Sequence, residues 1–190
     1  MTAPLPTPSK TRAWVCAPGV LKVPFLSAFL PDYDLSALPG SQTEAVLGWG
    51  MKPTAAAGRR WAAKQGKPYV ALEDGFLRSV GIGESGATSL SLIVDDIGVY
   101  YDATRPSRLE QLIATAPDWC DAAMRVRARG LIDRIVASGV SKTNMGGPLD
   151  AALLKPGRRV LIVDQTFGDA SIGYGLATEK SFSDMLATAR

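Results

Sequence analysis

The chain has 190 residues, of which 46% are hydrophobic and 21% charged, and its formal net charge at pH 7 is +3. This composition is typical of a soluble globular protein with a sizeable core, and so small a net charge gives no reason to expect a nucleic-acid partner. The sequence has no histidine, which excludes Ser-His-Asp and Cys-His nucleophilic catalysis and zinc sites of the HExxH type. Neither a metal nor an organic cofactor is expected.

From residue 13 the sequence alternates between strand and helix patterns. Strands are predicted at residues 13–17, 45–48 and 69–72. Helices are predicted at residues 23–30 and 55–65. Gly66 follows the second helix in the position of a C-cap. Alternation at this pitch is typical of βαβ units, so residues 13–137 are expected to form a Rossmann-like α/β lobe around a mostly parallel sheet.

The middle of the chain departs from this alternation. Two short β-type runs, at residues 90–94 and 99–101, flank Asp95-Asp96-Ile97-Gly98, which predicts an inserted hairpin with the aspartates in its turn. Helices are expected at residues 107–113, which open with a Ser-x-x-Glu capping box, and at residues 119–137.

The last part of the chain has a different organisation. Residues 138–157 have the composition of a linker, and a buried strand at residues 159–163 and a helix at residues 181–189 are predicted after it. Because one strand and one helix cannot form a core alone, they either join the first sheet or open a second, incomplete unit over residues 158–190. We favour the second arrangement.

The location of the protein is inferred from what else the sequence lacks. Two cysteines do not make a disulfide framework, and no apolar run approaches the roughly 18 residues that span a bilayer. Residues 1–12 are expected to be a flexible tail, since they lack the apolar region of a signal peptide. A cytoplasmic protein is therefore expected.

Function is expected in two segments that follow apolar β-type runs. The sequence EDGFLRSVGIG begins at Glu73 after PYVAL, and DQTFGDASIGYG begins at Asp164 after RVLIV. Carboxylates, hydroxyls and glycines at such positions are typical of α/β active sites, because ligands bind at the carboxyl ends of the strands. Two carboxylate clusters suit chemistry at an anomeric carbon, since a carboxylate can stabilise or trap an oxocarbenium-like state.

Simpler interpretations of these residues stay open. Glu73 and Asp74 are adjacent, so they are expected on opposite faces of an extended segment, and one of them is expected to cap a turn and pair with Arg78. Asp169 and Ser171 begin either a plain N-cap or a helix start that presents N–H groups to an anion.

The glycines at positions 81, 83 and 86 form a literal G-x-G-x-x-G. A dinucleotide fingerprint needs a helix directly after the glycines, whereas the strand-like ATSLSLIVDD follows here. The pattern therefore favours a loop, of the kind that wraps a sugar, over a nucleotide-binding turn.

The sequence resembles the capsular polysaccharide synthesis family of bacterial retaining β-Kdo transferases (the KpsC type) in four stretches of the same order and spacing: SQTEAVLGWGMKPT, EDGFLRSVGIG, SLIVDDIGVYYDATRPSRLEQLI and VDQTFGDASIGYGLA. The opening APGVLKVPFLSAFL is also similar to that family. The resemblance implies transfer of Kdo from CMP-β-Kdo, with retention, onto a lipid-linked glycan acceptor to build the oligo-Kdo linker of a capsule. It also implies a two-lobed, GT-B-like enzyme, of which this chain is the N-terminal lobe.

The resemblance also implies roles for single residues. It places the nucleophile of a double displacement at Asp164, with Asp169 as the runner-up, and the acid/base partner at Glu73. Substrate contacts are expected from Asp74, Arg78, Ser79, Gln165 and Ser171.

The expected partners are a lipid-linked glycan, a nucleotide sugar, and a second lobe or other capsule-assembly proteins. The family's nucleotide-binding lobe, with its His-Pro motif, is expected beyond Arg190, so the 190-residue piece alone is expected to lack transferase activity. The arginines at positions 125, 127, 129 and 134 fit either a solvated helix face or a peripheral contact with the anionic inner membrane. A non-catalytic glycan- or lipid-binding accessory protein of capsule assembly and export is the alternative.

Overall fold

The structure is a computed structural model that describes residues 9–81, 86–87, 89–147, 150, 152, 154 and 156–190. Within these residues one sheet has the strand order β2-β1-β3-β4-β5, with strands at Thr11–Val15 (β1), Tyr33–Ser36 (β2), Ala45–Trp49 (β3), Tyr69–Asp74 (β4) and Leu92–Asp95 (β5). β1 pairs in parallel with β2 and β3, β3 pairs in parallel with β4, and β5 is antiparallel to β4. The predicted mostly parallel α/β sheet is therefore confirmed.

Helices account for much of the remaining described chain. They lie at Leu26–Phe29 (α1), Ala56–Gln65 (α2), Arg108–Ala114 (α3), Ala116–Trp119 (α4), Ala122–Ser138 (α5), Ala170–Tyr174 (α6) and Glu179–Ala189 (α7), with 3-10 turns at Val20–Lys22 and Pro53–Ala55. None of the helices in the described ranges is long and apolar enough to cross a membrane.

The main core cluster joins β1, β3 and β4 to Val20 and to Leu26 of α1, while α2 approaches the opposite face of the sheet at Val46. The apolar residues of β3 and β4 are almost completely buried, as expected for strands covered on both faces. The helix comes close to the sheet at Gly58, where an added Cβ would overlap Cys16. α2 ends as predicted, because Gly66 adopts a left-handed conformation (φ 60°) and donates its N–H to Ala63.

Three differences from the sequence prediction occur near the start of the sheet. The helix predicted at residues 23–30 is reduced to α1, because Pro24 disfavours helical backbone at Val23, which is extended (ψ 119°), and Phe25 is left-handed (φ 58°). β2 has no predicted counterpart, since it is a four-residue edge strand in which half-buried and exposed residues alternate. Two residues expected in the flexible tail, Thr11 and Arg12, belong to β1.

The predicted hairpin is wrong. Its first run forms β5, but residues 99–101 form a turn, and β5 pairs with β4 instead. Asp95 explains the difference, because its Oδ1 accepts the N–H groups of Ile97 and Gly98 and its Oδ2 accepts that of Arg108. These bonds turn the chain away from β5 and lead it into α3, whose predicted capping box of Ser107 and Glu110 is present.

The buried strand predicted at residues 159–163 is also wrong. These residues have no strand partner in the described chain, and Leu161 is 87% exposed. A strand forms only where a neighbouring strand satisfies the hydrogen bonds of its backbone N–H and C=O groups. An apolar sequence does not by itself provide that neighbour. The helices predicted at residues 119–137 and 181–189 are present, as α5 and α7.

α5 has none of its residues buried. Asp121 caps its N-terminus and Gly139 its C-terminus, so the predicted helix itself is confirmed. Its apolar side is exposed, however, and Val126 and Val136 are each 74% accessible. The four arginines lie on this exposed helix, which is compatible with both interpretations given above.

Candidate functional site

A cavity of about 490 Å³ lies where β3 and β4 end. Its wall combines the ends of these two strands with residues from the loop after β5, from the predicted linker, and from the segment that leads into α6. Most of the predicted site residues line it: Glu73, Asp74, Gln165, Asp169 and Ser171. The two segments singled out in the sequence therefore meet at this edge of the sheet, at the carboxyl ends of its parallel strands.

Glu73 is a half-buried carboxylate of the cavity wall. Its Oε1 accepts a hydrogen bond of 3.0 Å from the Tyr101 hydroxyl. Burial raises the pKa of Glu73 above the ordinary value, against the opposing effects of the Tyr101 hydrogen bond and of Lys52. A carboxyl group with a raised pKa is suited to exchanging protons near neutral pH.

The tight turn after β3 leaves space for the Glu73 side chain, because Gly50 has no Cβ. Gly50 has a φ of +42°, and an added Cβ would overlap both Glu73 Oε1 and the Tyr101 hydroxyl. Its N–H donates to Leu72 and its carbonyl accepts from the Tyr69 hydroxyl at 2.7 Å. Glycine is therefore required at this position on two grounds, backbone conformation and close approach.

Asp74 is held in an ion pair. Its Oδ1 lies 2.7 Å from Arg78 Nε, which matches the structural role that the sequence allowed for one of the two adjacent carboxylates. Glu73 and Asp74 were expected on opposite faces of the strand, yet both line the cavity, because β4 ends there and the cavity wraps around the end of the strand.

Two predicted substrate contacts do not line the cavity. Arg78 lines a different cavity, together with Trp49 and Lys52, and donates from Nη1 to Ser79 Oγ at 2.7 Å. Ser79 is 1% exposed, and its hydroxyl donates to the Gly81 carbonyl at 2.6 Å. The structure thus gives both residues a part in supporting the loop after β4. Of the G-x-G-x-x-G glycines in this loop, Gly83 lies outside the described residues.

Asp169 is the third carboxylate of the cavity, beside Glu73 and Asp74, and caps α6. Its Oδ1 accepts the N–H of Ser171 at 2.8 Å. The hydrogen bonds from the Ser171 backbone and side chain hold the pKa of Asp169 below its usual range, assisted by Lys52 and Lys142. The plain N-cap interpretation is therefore correct for its hydrogen bonding, while its position on the cavity wall leaves it available to a ligand.

Asp164 lines a neighbouring cavity of about 430 Å³ and not the one that contains Glu73. Its Oδ1 accepts the N–H of Gln165 at 2.8 Å. The two cavities share part of their walls, including Gln165 and Asp169. The structure therefore brings Asp169, and not Asp164, to the same cavity as Glu73.

Lys52, Tyr101 and Lys142 are among the cavity residues that were not selected from the sequence as functional. Lys52 had a usable signal, because it follows β3 in GWGMKP just as Glu73 ends β4. No sequence pattern indicated Lys142, because long-range hydrogen bonds place it at the cavity. Its carbonyl accepts the N–H groups of Arg78 (2.8 Å) and Ser79 (3.2 Å). The predicted linker therefore supplies part of the cavity wall.

The cavity contains the elements of acid/base and nucleophilic chemistry. One carboxyl group has a raised pKa and another a lowered pKa, which is the pattern that separates a proton-exchanging group from a permanently charged one. Lys52 and Lys142 add positive charge that favours an anionic ligand. Across the described residues, no group of three or more Cys, Asp or Glu side chains is arranged to hold a metal ion.

Comparison with known proteins shows what the whole chain is similar to. The family model described as "Capsule polysaccharide biosynthesis protein" matches residues 44–137, which include β3, β4 and both carboxylates at the end of β4. The chain is 44% identical over 182 residues to the capsule polysaccharide modification protein LipA of Neisseria meningitidis serogroup B, covering 94% of this chain and 26% of LipA. It is 41% identical over 145 residues to the lipopolysaccharide-processing protein LpsZ of Rhizobium meliloti, covering 75% of this chain and 33% of LpsZ.

Solved structures give the same result. The β-Kdo 2,4 transferase structure of KpsC from Thermosulfurimonas dismutans superposes with a TM-score of 0.84 at 42% identity, covering 94% of this chain and 56% of that one. The β-Kdo 2,7 transferase structure of KpsC from the same organism shares the fold, with a TM-score of 0.52 at 22% identity. The chain thus spans about a quarter of LipA and about half of the first KpsC structure. It is similar to the capsule polysaccharide biosynthesis family in sequence and in fold.

Proposed function

We propose that the protein containing this chain transfers Kdo from CMP-β-Kdo, with retention, onto a lipid-linked acceptor during capsule biosynthesis. The chain would form the acceptor-side lobe, and the rest of the polypeptide would supply nucleotide binding. The observation that carries the proposal is the pairing of Glu73 and Asp169 on one cavity, with pKa values displaced in opposite directions. The 42% identity with a β-Kdo transferase structure supports the choice of sugar.

The proposed reaction is a double displacement. An aspartate carboxylate attacks the anomeric carbon of Kdo, the bond to the CMP phosphate breaks, and CMP leaves with the electron pair. An acceptor hydroxyl then attacks the same carbon, its proton passes to Glu73, and the aspartate is released as a carboxylate. Two inversions give net retention. A raised pKa suits Glu73 to the second step, because it increases the affinity of the carboxylate for the acceptor's proton.

Two aspartates are candidates for the nucleophile. The family resemblance favours Asp164, whereas the geometry favours Asp169, which shares the cavity with Glu73 and carries a lowered pKa. An attacking carboxylate must be ionised, and the hydrogen bonds of Asp169 keep it so. Asp164 is exposed and lies beside the shared wall, so both residues are within the proposed site.

Lys52 and Lys142 are proposed to face the acidic groups of the substrates. Kdo carries a carboxylate and the donor carries a phosphate, and both are anions. The Asp74–Arg78 ion pair at 2.7 Å neutralises one of the nearby negative charges. Electrostatic attraction between the lysines and either anion would orient the sugar against the carboxylates.

The test uses the complete polypeptide with CMP-Kdo generated in situ and a synthetic acceptor. Wild type, Asp164→Asn and Asp169→Asn are compared for product formation, and intact-protein mass spectrometry detects a Kdo adduct when acceptor is omitted. The nucleophile variant is expected to lose both adduct and product, while the other variant keeps the adduct. If wild type forms neither adduct nor product but binds glycan, and neither aspartate substitution changes that binding, the accessory-protein alternative holds.

A further inference from the structure

Tyr101 is placed so that its single proton is directed at Glu73. The hydroxyl accepts the N–H of Met51 at 2.9 Å and donates to Glu73 Oε1 at 3.0 Å. A phenol has one proton to donate. Because Met51 offers only a donor, the proton of Tyr101 has Glu73 as its acceptor.

Several elements hold Tyr101 in this position. Val99, two residues before it, is 1% exposed. The N–H of Asp102, the residue after it, donates to the Val99 carbonyl at 2.9 Å. The ring of Tyr101 packs edge-on against Tyr100, with centroids 5.4 Å apart, and lies tilted against Tyr174 of α6, with centroids 6.3 Å apart. The hydroxyl therefore has a fixed position relative to β4.

The turn after β3 is built around the same hydroxyl. Gly50 leaves the space that Tyr101 and Glu73 occupy together, and Met51 presents its N–H to the hydroxyl from the next position. The contact is thus maintained from both sides, by the turn and by the loop after β5.

We infer that Tyr101 is a positioning residue for Glu73, fixing Oε1 and leaving Oε2 as the oxygen that takes the acceptor's proton. This inference rests on the proposed function, which makes Glu73 the acid/base group. The hydrogen bond also stabilises the ionised form of Glu73, which must be present before the acceptor attacks. Without Tyr101 the carboxylate would be free to rotate and would ionise at higher pH.

Other groups also act on Glu73, so the hydroxyl must be tested separately from them. Among the described residues, five further groups interact electrostatically with Glu73. They belong to β4, to the loops after β3 and β5 and to the predicted linker, and they are Lys52, Tyr69, Asp74, Tyr100 and Lys142. Tyr100 is the matched control, because it is the adjacent tyrosine and lines the same cavity, whereas the hydrogen bond to Glu73 comes from Tyr101.

The experiment compares Tyr101→Phe and Tyr100→Phe in the complete polypeptide. The first readout is the titration of Glu73, followed by NMR with 13C-labelled glutamate and assigned by the signal that disappears in Glu73→Gln. The second is the pH dependence of kcat and KM for Kdo transfer. Tyr101→Phe is expected to move the Glu73 titration and the acidic limb of kcat upward by about one pH unit, with KM unchanged. Tyr100→Phe removes no hydrogen bond to Glu73 and is expected to move the Glu73 titration less than Tyr101→Phe does.

An unchanged Glu73 titration in a folded Tyr101→Phe variant would overturn the inference. If wild type transfers no Kdo, the proposed function fails, and the NMR titration still decides whether Tyr101 holds Glu73. If Tyr101→Phe does not fold, 3-fluorotyrosine at position 101 replaces it. That residue is a stronger hydrogen-bond donor, so the Glu73 titration should then move to lower pH, and a titration that does not move would refute the role.

Discussion

Glu73 and Asp169 border one cavity from distant parts of the sequence, and their pKa values are displaced in opposite directions. Burial at the end of β4 favours the protonated form of Glu73. Hydrogen bonds from Ser171 at the start of α6 favour the ionised form of Asp169. A single cavity therefore offers a group that exchanges protons and a group that stays charged, which is the division of roles that covalent glycosyl transfer needs.

Replacing Glu73 by glutamine should abolish proton transfer without disturbing the fold. The amide oxygen of the glutamine would still accept the hydrogen bond from Tyr101, but the amide cannot take a proton. We expect kcat to fall by roughly 10²- to 10⁴-fold, the usual contribution of a general base. The fall in kcat is measured by steady-state Kdo transfer with the complete polypeptide. Asp118→Asn, at an exposed position of α4, is the control and should leave kcat unchanged.

The same substitution should raise stability at neutral pH. The folded pKa of Glu73 lies above its ordinary value of 4.5, so the unfolded chain ionises first as the pH rises. Wild-type stability therefore falls as the pH rises from about 4.5 through the folded pKa, and this loss is absent below 4.5. Glu73→Gln should remove that part of the pH dependence.

Urea unfolding of wild type and Glu73→Gln at pH 4, 5.5 and 7 measures this difference. The two curves should agree best at pH 4 and separate as the pH rises, with the variant more stable. A variant that is less stable than wild type at pH 7 would contradict the burial argument.

The sequence predicts the central part of this fold well, for a physical reason. β3, β4 and α2 have continuous apolar or periodic patterns, and Gly66 provides a recognisable helix end. The position of the site follows from the same patterns, because a carboxylate at the end of a buried parallel strand lies at the edge of the sheet where α/β proteins bind ligands. Glu73 is therefore visible in the sequence.

What the sequence does not predict depends on contacts between distant residues. The apolar run at residues 159–163 has strand propensity but no neighbouring strand in the described chain, so it stays irregular and exposed. Lys142 reaches the cavity because its carbonyl accepts from Arg78 and Ser79, and no local pattern announces such a contact. Asp169, by contrast, is recognisable as an N-cap from its own neighbours.

Gly50 provides a test of the turn that shapes the site. Gly50→Ala would place a Cβ against Glu73 and Tyr101 in a left-handed backbone conformation. The strain should lower the free energy of unfolding by about 1–3 kcal/mol and reduce transfer, because Glu73 must move. Gly130→Ala is the matched control.

Gly130 lies in the middle of α5, with no atom within 4 Å of an added Cβ. Alanine there should raise stability by about 0.5–1 kcal/mol through helix propensity and leave transfer unchanged. Thermal unfolding and Kdo transfer are measured for both variants. Equal effects of the two substitutions would refute a specific role for the turn at Gly50.

Asp95 and Asp96 are adjacent aspartates that the structure uses differently. Asp95 is 1% exposed and accepts three backbone N–H groups, from Ile97, Gly98 and Arg108. Asp96 forms a partly exposed ion pair with Arg108, with Oδ2 2.6 Å from Nη2. Asp95→Ala leaves buried donors unsatisfied, so we expect a loss of about 2–4 kcal/mol in the free energy of unfolding. Asp96→Ala should lower it by less than about 1 kcal/mol, as is usual for ion pairs near the surface. Urea unfolding measures both losses, and comparable values would show that the buried bonds of Asp95 do not organise the chain between β5 and α3.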